Sequence, residues 1–272
     1  MEMSRIKNIT IVALLLINVF FISMIITGSI KQAGREKDIS YAVYEACEKQ
    51  GIILNTDTFV SAEDVTTYNG VRSTADEKQI AEILIGEAKA LEHGGNIYTY
   101  ENENGSISFR ASGTLEGAFS GIVISDGKTL AEKATKLFKS LPLTVDGINE
   151  NNDGSVSVYC VQNNFEIFNC PITLRFESEN LVAISGRMPQ NVYSSGNVTL
   201  KVNAETAIMV FLSGVKNNEA ECGAINSVEL GYLSAYSVFG DSSLEPVWQI
   251  STDNGSYYIN AVTGAFETFG DA

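Results

Sequence analysis

Residues Ile9 to Ile26, ITIVALLLINVFFISMII, form an uncharged run of 18 residues in which only Thr10, Asn18 and Ser23 are polar. As a helix this run is roughly 27 Å long, close to the hydrocarbon thickness of a bilayer. The apolar core of a secretory signal peptide is shorter and ends in a small-x-small cleavage site. Here Thr27-Gly28-Ser29-Ile30-Lys31 follows and supplies no such site. The run therefore predicts an uncleaved anchor: a short tail over 1–8, a transmembrane helix over 9–27, a juxtamembrane segment over 28–37 and a domain over 38–272. Charge counting does not orient the anchor. Arg5 and Lys7 flank one end and Lys31, Arg35 and Lys37 the other, and long domains translocate largely regardless of charge.

The whole chain carries a formal charge of −15, and residues 1–37 carry +3, so the remainder carries −18. That balance argues against nucleic-acid binding and against docking on anionic lipid. The simpler reading is solvation. About 235 residues suit one large domain or a few subdomains. Of the four cysteines, Cys160 and Cys170 are the best candidate pair. A two-residue turn at Asn163-Asn164 sets Cys160 against Ile167. Cys170 then lies three residues further on, about 10 Å away, too far to bridge without a bulge. Buried thiols are expected at Cys47, Cys160, Cys170 and Cys222.

Periodicity predicts an α+β domain of helices followed by antiparallel strands. Asp38 to Gln50 reads as a helix with Ile39, Ala42, Val43 and Ala46 on one face and Gly51 as its stop. Asp57 to Arg72 is polar and reads as loop. Thr74-Ala75-Asp76-Glu77 has capping-box spacing, opening a helix that buries Ile80, Ile83, Leu84, Ala88 and Leu91 and closes at His93-Gly94-Gly95. Asn104-Gly105 predicts a hairpin with Tyr100 opposite Phe109. Leu130 to Leu141 is amphipathic. Ser155 to Val161, Phe165 to Phe168 and Ile172 to Phe176 alternate as strands. Asn203 caps a helix through Leu212, ended by Ser213-Gly214. Val228 to Tyr236 is strand-like. A last hairpin around Asn254-Gly255 puts Trp248, Ile250, Tyr257, Ile259 and Ala261 on a buried face. Gln249, Ser251, Tyr258 and Asn260 fall on a wet one. Helix followed by strands thus occurs about three times, suggesting subunits near 74–125, 126–190 and 200–272.

No catalytic constellation is legible, and the chain reads as a non-enzyme with no cofactor, metal or small-molecule substrate. Any Ser-His-Asp or Cys-His arrangement has to use His93, the single histidine, which reads as a solvated helix-end residue. No nucleophile elbow, phosphate-binding loop or zinc spacing occurs. The pairs Glu101/Glu103, Glu177/Glu179 and Glu219/Glu221 read as solvated, and Asp253-Asn254-Gly255 as a turn, not a calcium loop. Asn-x-Ser/Thr triplets at Asn104, Asn197 and Asn254 mark surface turns. In the anchor Asn18 stands out. An amide facing lipid is costly, and bonding to a second helix relieves about 1 kcal/mol of that. Leu14, Leu15, Ile22 and Ile25 share its face, and these five are the candidate contacts with a partner helix.

Two stretches carry a resemblance. Ser4-Arg5-Ile6-Lys7 running into an apolar helix with Leu16-Ile17-Asn18 resembles the start of the YycI-type regulatory proteins of Gram-positive bacteria. Pro246-Val247-Trp248-Gln249-Ile250, followed by Tyr257-Tyr258-Ile259-Asn260-Ala261-Val262-Thr263-Gly264, resembles the closing hairpin of YycI and YpeB-type proteins and of PepSY modules. Val161 to Phe168 is similar to their internal strand pair. The resemblance spans most of the chain in layout, but its motifs cover only the ends and centre, and it does not explain the cysteines. It implies a cytoplasmic N-terminus, an extracytoplasmic domain, and a role with a YycH-type partner in restraining a sensor histidine kinase that governs cell-wall metabolism. It transfers no catalytic residue. A PepSY- or YpeB-like binding module acting on a wall hydrolase or peptidase is the alternative it leaves open.

Overall fold

The computed structural model describes residues 40–56, 64–124, 127–217, 220–237 and 241–267. The expected transmembrane helix over 9–27, with Asn18, Leu14, Leu15, Ile22 and Ile25, lies outside them. Among the described residues no helix is long and apolar enough to cross a membrane. The chain divides into two compact units that meet in sequence at Leu54 and Asn55.

In the first unit, helix α1 spans 40–49. Gly51, at φ +72°, ends it. There the amides of Gly51 and Ile52 donate to the carbonyls of Glu48 and Cys47. Val43 and Cys47, one turn apart, are buried, whereas Ala42 is exposed, so the buried stripe is rotated from the expected one. The extended pair β1 (Ile53–Leu54) follows.

The second unit is mixed α+β and mostly sheet. Its elements are β2 (Asp64–Val71), α2 (Thr74–Ile85), β3 (Lys89–His93), β4 (Ile97–Asn102), β5 (Gly105–Phe109) and β6 (Thr114–Ile122). Then come α3 (Leu130–Ser140), β7 (Val145–Glu150), β8 (Ser155–Gln162), β9 (Phe165–Glu177), β10 (Asn180–Arg187) and β11 (Asn191–Thr199). Last are α4 (Ala204–Lys216), β12 (Ala224–Tyr236), β13 (Asp241–Thr252), β14 (Gly255–Asn260) and β15 (Phe266–Glu267). The sheet runs β11-β2-β13-β12-β9-β10-β6-β5-β4-β3, with β7 and β8 attached through β9, and β14 and β15 through β13. Its pairings are antiparallel except β12 with β9, which meet in parallel at Tyr232 and Ile167. The Asn169 side chain reinforces that short contact: its Nδ2 donates to the Ser234 carbonyl at 2.8 Å, and its Oδ1 accepts from the Ser234 amide at 2.8 Å. Helix α2 packs on β4 to β6, α3 on β7 and β8, and α4 on β12 to β15.

Several expectations are corrected. Asp64 to Val71 is a strand and not loop, because β11 and β13 pair with it and its inward positions Val65 and Tyr68 are buried. Long-range pairing outweighs its polar local composition. Helix α2 is capped by Ser73, whose hydroxyl accepts from the Asp76 amide, and stops at Gly86, with φ +85°. Lys89 to His93 instead pairs with β4, so Leu91 is a strand residue and His93 an exposed strand end. The first hairpin turns at Glu103-Asn104, and Tyr100 faces Ile107, not Phe109. That shift of two preserves the buried face. Phe165 to Glu177 is one strand, not two. Helix α4 continues through Ser213-Gly214 to Lys216. The last hairpin turns at Asp253-Asn254 with Trp248 opposite Ile259. Its second face is not wet throughout: Val247 is buried with Phe168 and Leu233, and Tyr258 packs on them. Gly231 permits this, because a Cβ there would sit 2.5 Å from the Phe168 ring.

Candidate functional site

The start of α2 is held by a buried ion pair. Arg72 Nε donates to Glu77 Oε1 at 2.6 Å, and Nη2 donates to Oε2 at 3.1 Å. Nη2 also reaches the Phe109 carbonyl at 3.1 Å, and Nη1 the Asn96 carbonyl at 2.5 Å. The guanidinium lies 5.0 Å from the Tyr98 ring centroid. The side chains are 11% and 3% exposed, so both charges are largely removed from water. Burial pushes the Glu77 carboxyl above the ordinary range, and Arg72 pulls it back down. Glu77 is thus the partner of Arg72 and not half of a capping box. Sequence reading missed this because Arg72 and Glu77 sit five apart across a strand end and a cap, a spacing with no periodic signature.

Beside this clasp lies a cavity of about 170 Å³ between the first turns of α2 (Ser73, Asp76, Ile80), the α3–β7 connection (Pro142 to Thr144) and the β10–β11 connection with the start of β11 (Met188 to Val192). It is smaller than the roughly 300–1,000 Å³ typical of small-molecule sites, so it admits a group the size of one side chain. Gln190 on its wall is 5% exposed. Its Nε2 donates to the Ala111 carbonyl at 3.1 Å, an acceptor-only group that sets which end of the amide is nitrogen.

A second polar group joins half-buried Tyr236 to fully buried Cys170. The Tyr236 hydroxyl donates its single proton to the Met188 carbonyl at 2.9 Å. Cys170 Sγ, 3.3 Å away, is then the donor to the Tyr236 oxygen. Arg187 lies 5.4 Å from the Tyr236 ring centroid. Burial pushes the Cys170 thiol up to about 11 and the Cys160 thiol well above its ordinary value. Both are neutral thiols and poor nucleophiles. Cys47 is likewise buried and Cys222 half-buried, and no disulfide joins the four.

The residues that carry the C-terminal resemblance turn out to hold the closing hairpin. Trp248 is fully buried and donates Nε1 to the Val202 carbonyl at 2.8 Å. The Ala261 amide donates to the Pro246 carbonyl. Asn260 Oδ1 accepts from the amides of Val262 and Thr263, both at 3.0 Å, and the Gly264 amide donates to the Asn260 carbonyl. Gly264 has φ +76°, a conformation that favours glycine. The N-A-x-T-G string is therefore a turn with a side-chain cap. Asn260→Ala removes both cap bonds at a 7% exposed position. It should cost about 1–2 kcal/mol in denaturant unfolding; Asn260→Asp keeps the acceptor but turns the Nδ2 donor to Glu267 Oε1, 3.1 Å away, into a second carboxylate oxygen, so it should not restore full stability at neutral pH.

The carboxylates of Glu101, Glu103, Glu177 and Glu179 are exposed. Among the described residues no group of three or more His, Cys, Asp or Glu could hold a metal ion. Asp253 instead caps backbone: its Oδ1 accepts from the Gly223 and Ala224 amides at 2.9 and 3.1 Å. Asn104 and Asn254 are at turns, but Asn197 lies in strand β11.

No family model matches this sequence, and no curated protein matches it. Among solved structures, the fold is shared with an uncharacterized protein from Eubacterium rectale ATCC 33656, at 10% identity over 80% of this chain and 89% of that one, with a TM-score of 0.51. YycH from Bacillus subtilis aligns at 12% identity over 72% of this chain and 52% of that one, with a TM-score of 0.44.

Proposed function

We propose that this chain is a non-enzymatic, membrane-anchored regulator of a sensor histidine kinase controlling cell-wall metabolism, acting with a YycH-type partner. In this reading the N-terminus is cytoplasmic, the domain extracytoplasmic, and the anchor helix the main contact with the kinase. One observation carries the reading. The residues behind the C-terminal resemblance are spent on scaffold, from the Trp248 bond to Val202 to the Asn260 turn. That leaves the uncharged anchor with its central Asn18 as the element of the resemblance free to make contacts. An amide there gains about 1 kcal/mol by bonding to a second helix.

The cavity beside the Arg72–Glu77 clasp favours a second reading, a PepSY- or YpeB-like binding module that receives one side chain of a wall hydrolase or peptidase. A photoreactive residue in place of Asn18 separates the two. Under the first reading it captures a histidine kinase or a second small anchored protein, and exchanging 9–27 for a generic transmembrane helix abolishes regulation. Capture of lipid alone, with regulation intact after the exchange, leaves the helix as a tether and favours the binding module.

A further inference from the structure

We propose that Cys160 and Cys170 are a cross-strand disulfide site, closed by thiol–disulfide exchange as the chain folds. The register carries this. From Ser155↔Arg175 to Tyr159↔Pro171 the β8–β9 ladder is regular, and it resumes at Val161↔Glu166. Between those pairs β9 holds Ile167 to Cys170 against the single residue Cys160. The two-residue turn at Asn163-Asn164 is kept, but the register it sets ends at Val161, and the shift beyond it removes the three-residue offset that would separate the thiols. Cys160 and Cys170 are the next residues along β8 and β9 from the Tyr159↔Pro171 pair, at the point where the ladder shifts register, so the two cysteines adjoin the same paired position. Opposed residues of an antiparallel pair lie about 4.5–5.5 Å apart at Cα, and residues one step beyond such a pair stay near the range of about 4.4–6.8 Å that a disulfide spans. The side chains share a face: Val156, Val158 and Cys160 on β8, and Cys170, Ile172 and Leu174 on β9, are all fully buried. Closing the bond requires only that Cys170 turn from Tyr236, whose bond to Met188 is independent of it.

The chemistry balances with a disulfide such as oxidised glutathione as oxidant. One cysteine thiolate attacks the glutathione disulfide and expels one glutathione thiolate. The second cysteine attacks the mixed disulfide and expels the other, so two protein thiols become one disulfide and two glutathiones are reduced. Neither thiol is exposed in the folded chain and both are held neutral, so exchange belongs to the unfolded or folding chain.

The full chain in detergent tests this. It is reduced and unfolded, then refolded with reduced and oxidised glutathione, in parallel with Cys47→Ser/Cys222→Ser, which retains only the pair. After alkylation, trypsin and cleavage at Glu166 separate the two cysteines into different peptides. In both proteins the expected product is these peptides joined, about 2 Da below the sum of their reduced masses. Adding oxidised glutathione to already folded, reduced chain should close the bond at least about tenfold more slowly. Two alkylated thiols at Cys160 and Cys170 after refolding, or a bridge to Cys47 or Cys222 in their place, overturns the proposal. The purified chain decides this without reference to any kinase or compartment.

Discussion

Trp248→Ala should lower the unfolding free energy by about 4 kcal/mol, the largest single-residue loss in the C-terminal third of the chain. Trp248 is fully buried on β13, opposite Ile259 of β14 in the ladder, in the region where Ile250 and Ala261 are also fully buried and helix α4 packs on β13 and β14. Truncation leaves a cavity that the sheet cannot close, because Ile259 is held opposite it in the ladder. It also strands the Val202 carbonyl, which accepts the indole N–H at 2.8 Å. Trp248→Phe separates the two effects: it keeps most of the volume and should cost about 1–3 kcal/mol, chiefly the unpaired carbonyl. Circular dichroism in urea is the measurement, since Trp248 is the only tryptophan and its fluorescence disappears with it. A loss below about 1 kcal/mol for the alanine variant would show that the closing hairpin is not the structural clamp described above.

Arg72→Met should cost about 3–5 kcal/mol, because it leaves the Glu77 carboxylate, 3% exposed, without its cation. Arg72→Met/Glu77→Met should recover most of that loss, since replacing a whole buried pair by apolar groups is often neutral. The pH dependence has a definite sign. Burial raises the folded-state pKa of Glu77, so the folded chain binds this proton more tightly than the unfolded chain. Its contribution is present below the ordinary glutamate range and is lost as pH rises through the folded value. Glu77→Gln should flatten the stability profile in that window. An unchanged profile would mean that Arg72 already cancels the burial penalty.

The elements legible in the sequence are those whose cues are local. Helix α3 lies where its amphipathic stripe put it, and Asn203 caps α4 as its position before an apolar run implied. The buried face of the last hairpin sorted correctly at Trp248, Ile250, Ile259 and Ala261. What failed was set by distant partners. Strand β2 reads as polar loop until β11 and β13 pair with it. Leu91 continues a helical period, yet β4 recruits its segment as a strand once Gly86 has stopped the helix. The Arg72–Glu77 clasp draws on Asn96 and Phe109, more than twenty residues away, and nothing near Arg72 announces them. The register shift beside Cys160 and Cys170 falls where Ile167 of β9 meets Tyr232 of β12, a partner more than sixty residues away that no local pattern announces.

The strand order also governs how the chain is made. The ribbon of β2 and β11 joins the rest of the sheet through β13, and β13 joins it to β12. Both linking strands come after residue 223. During vectorial synthesis the ribbon therefore waits with the β2 edge from Tyr68 to Val71 unpaired until β13 arrives. Such edges recruit other strands while they wait. Biogenesis of this protein thus has its most vulnerable interval late, and any delay, nick or premature stop within β12 or β13 leaves the ribbon of early-made β2 and later β11 with no sheet to join.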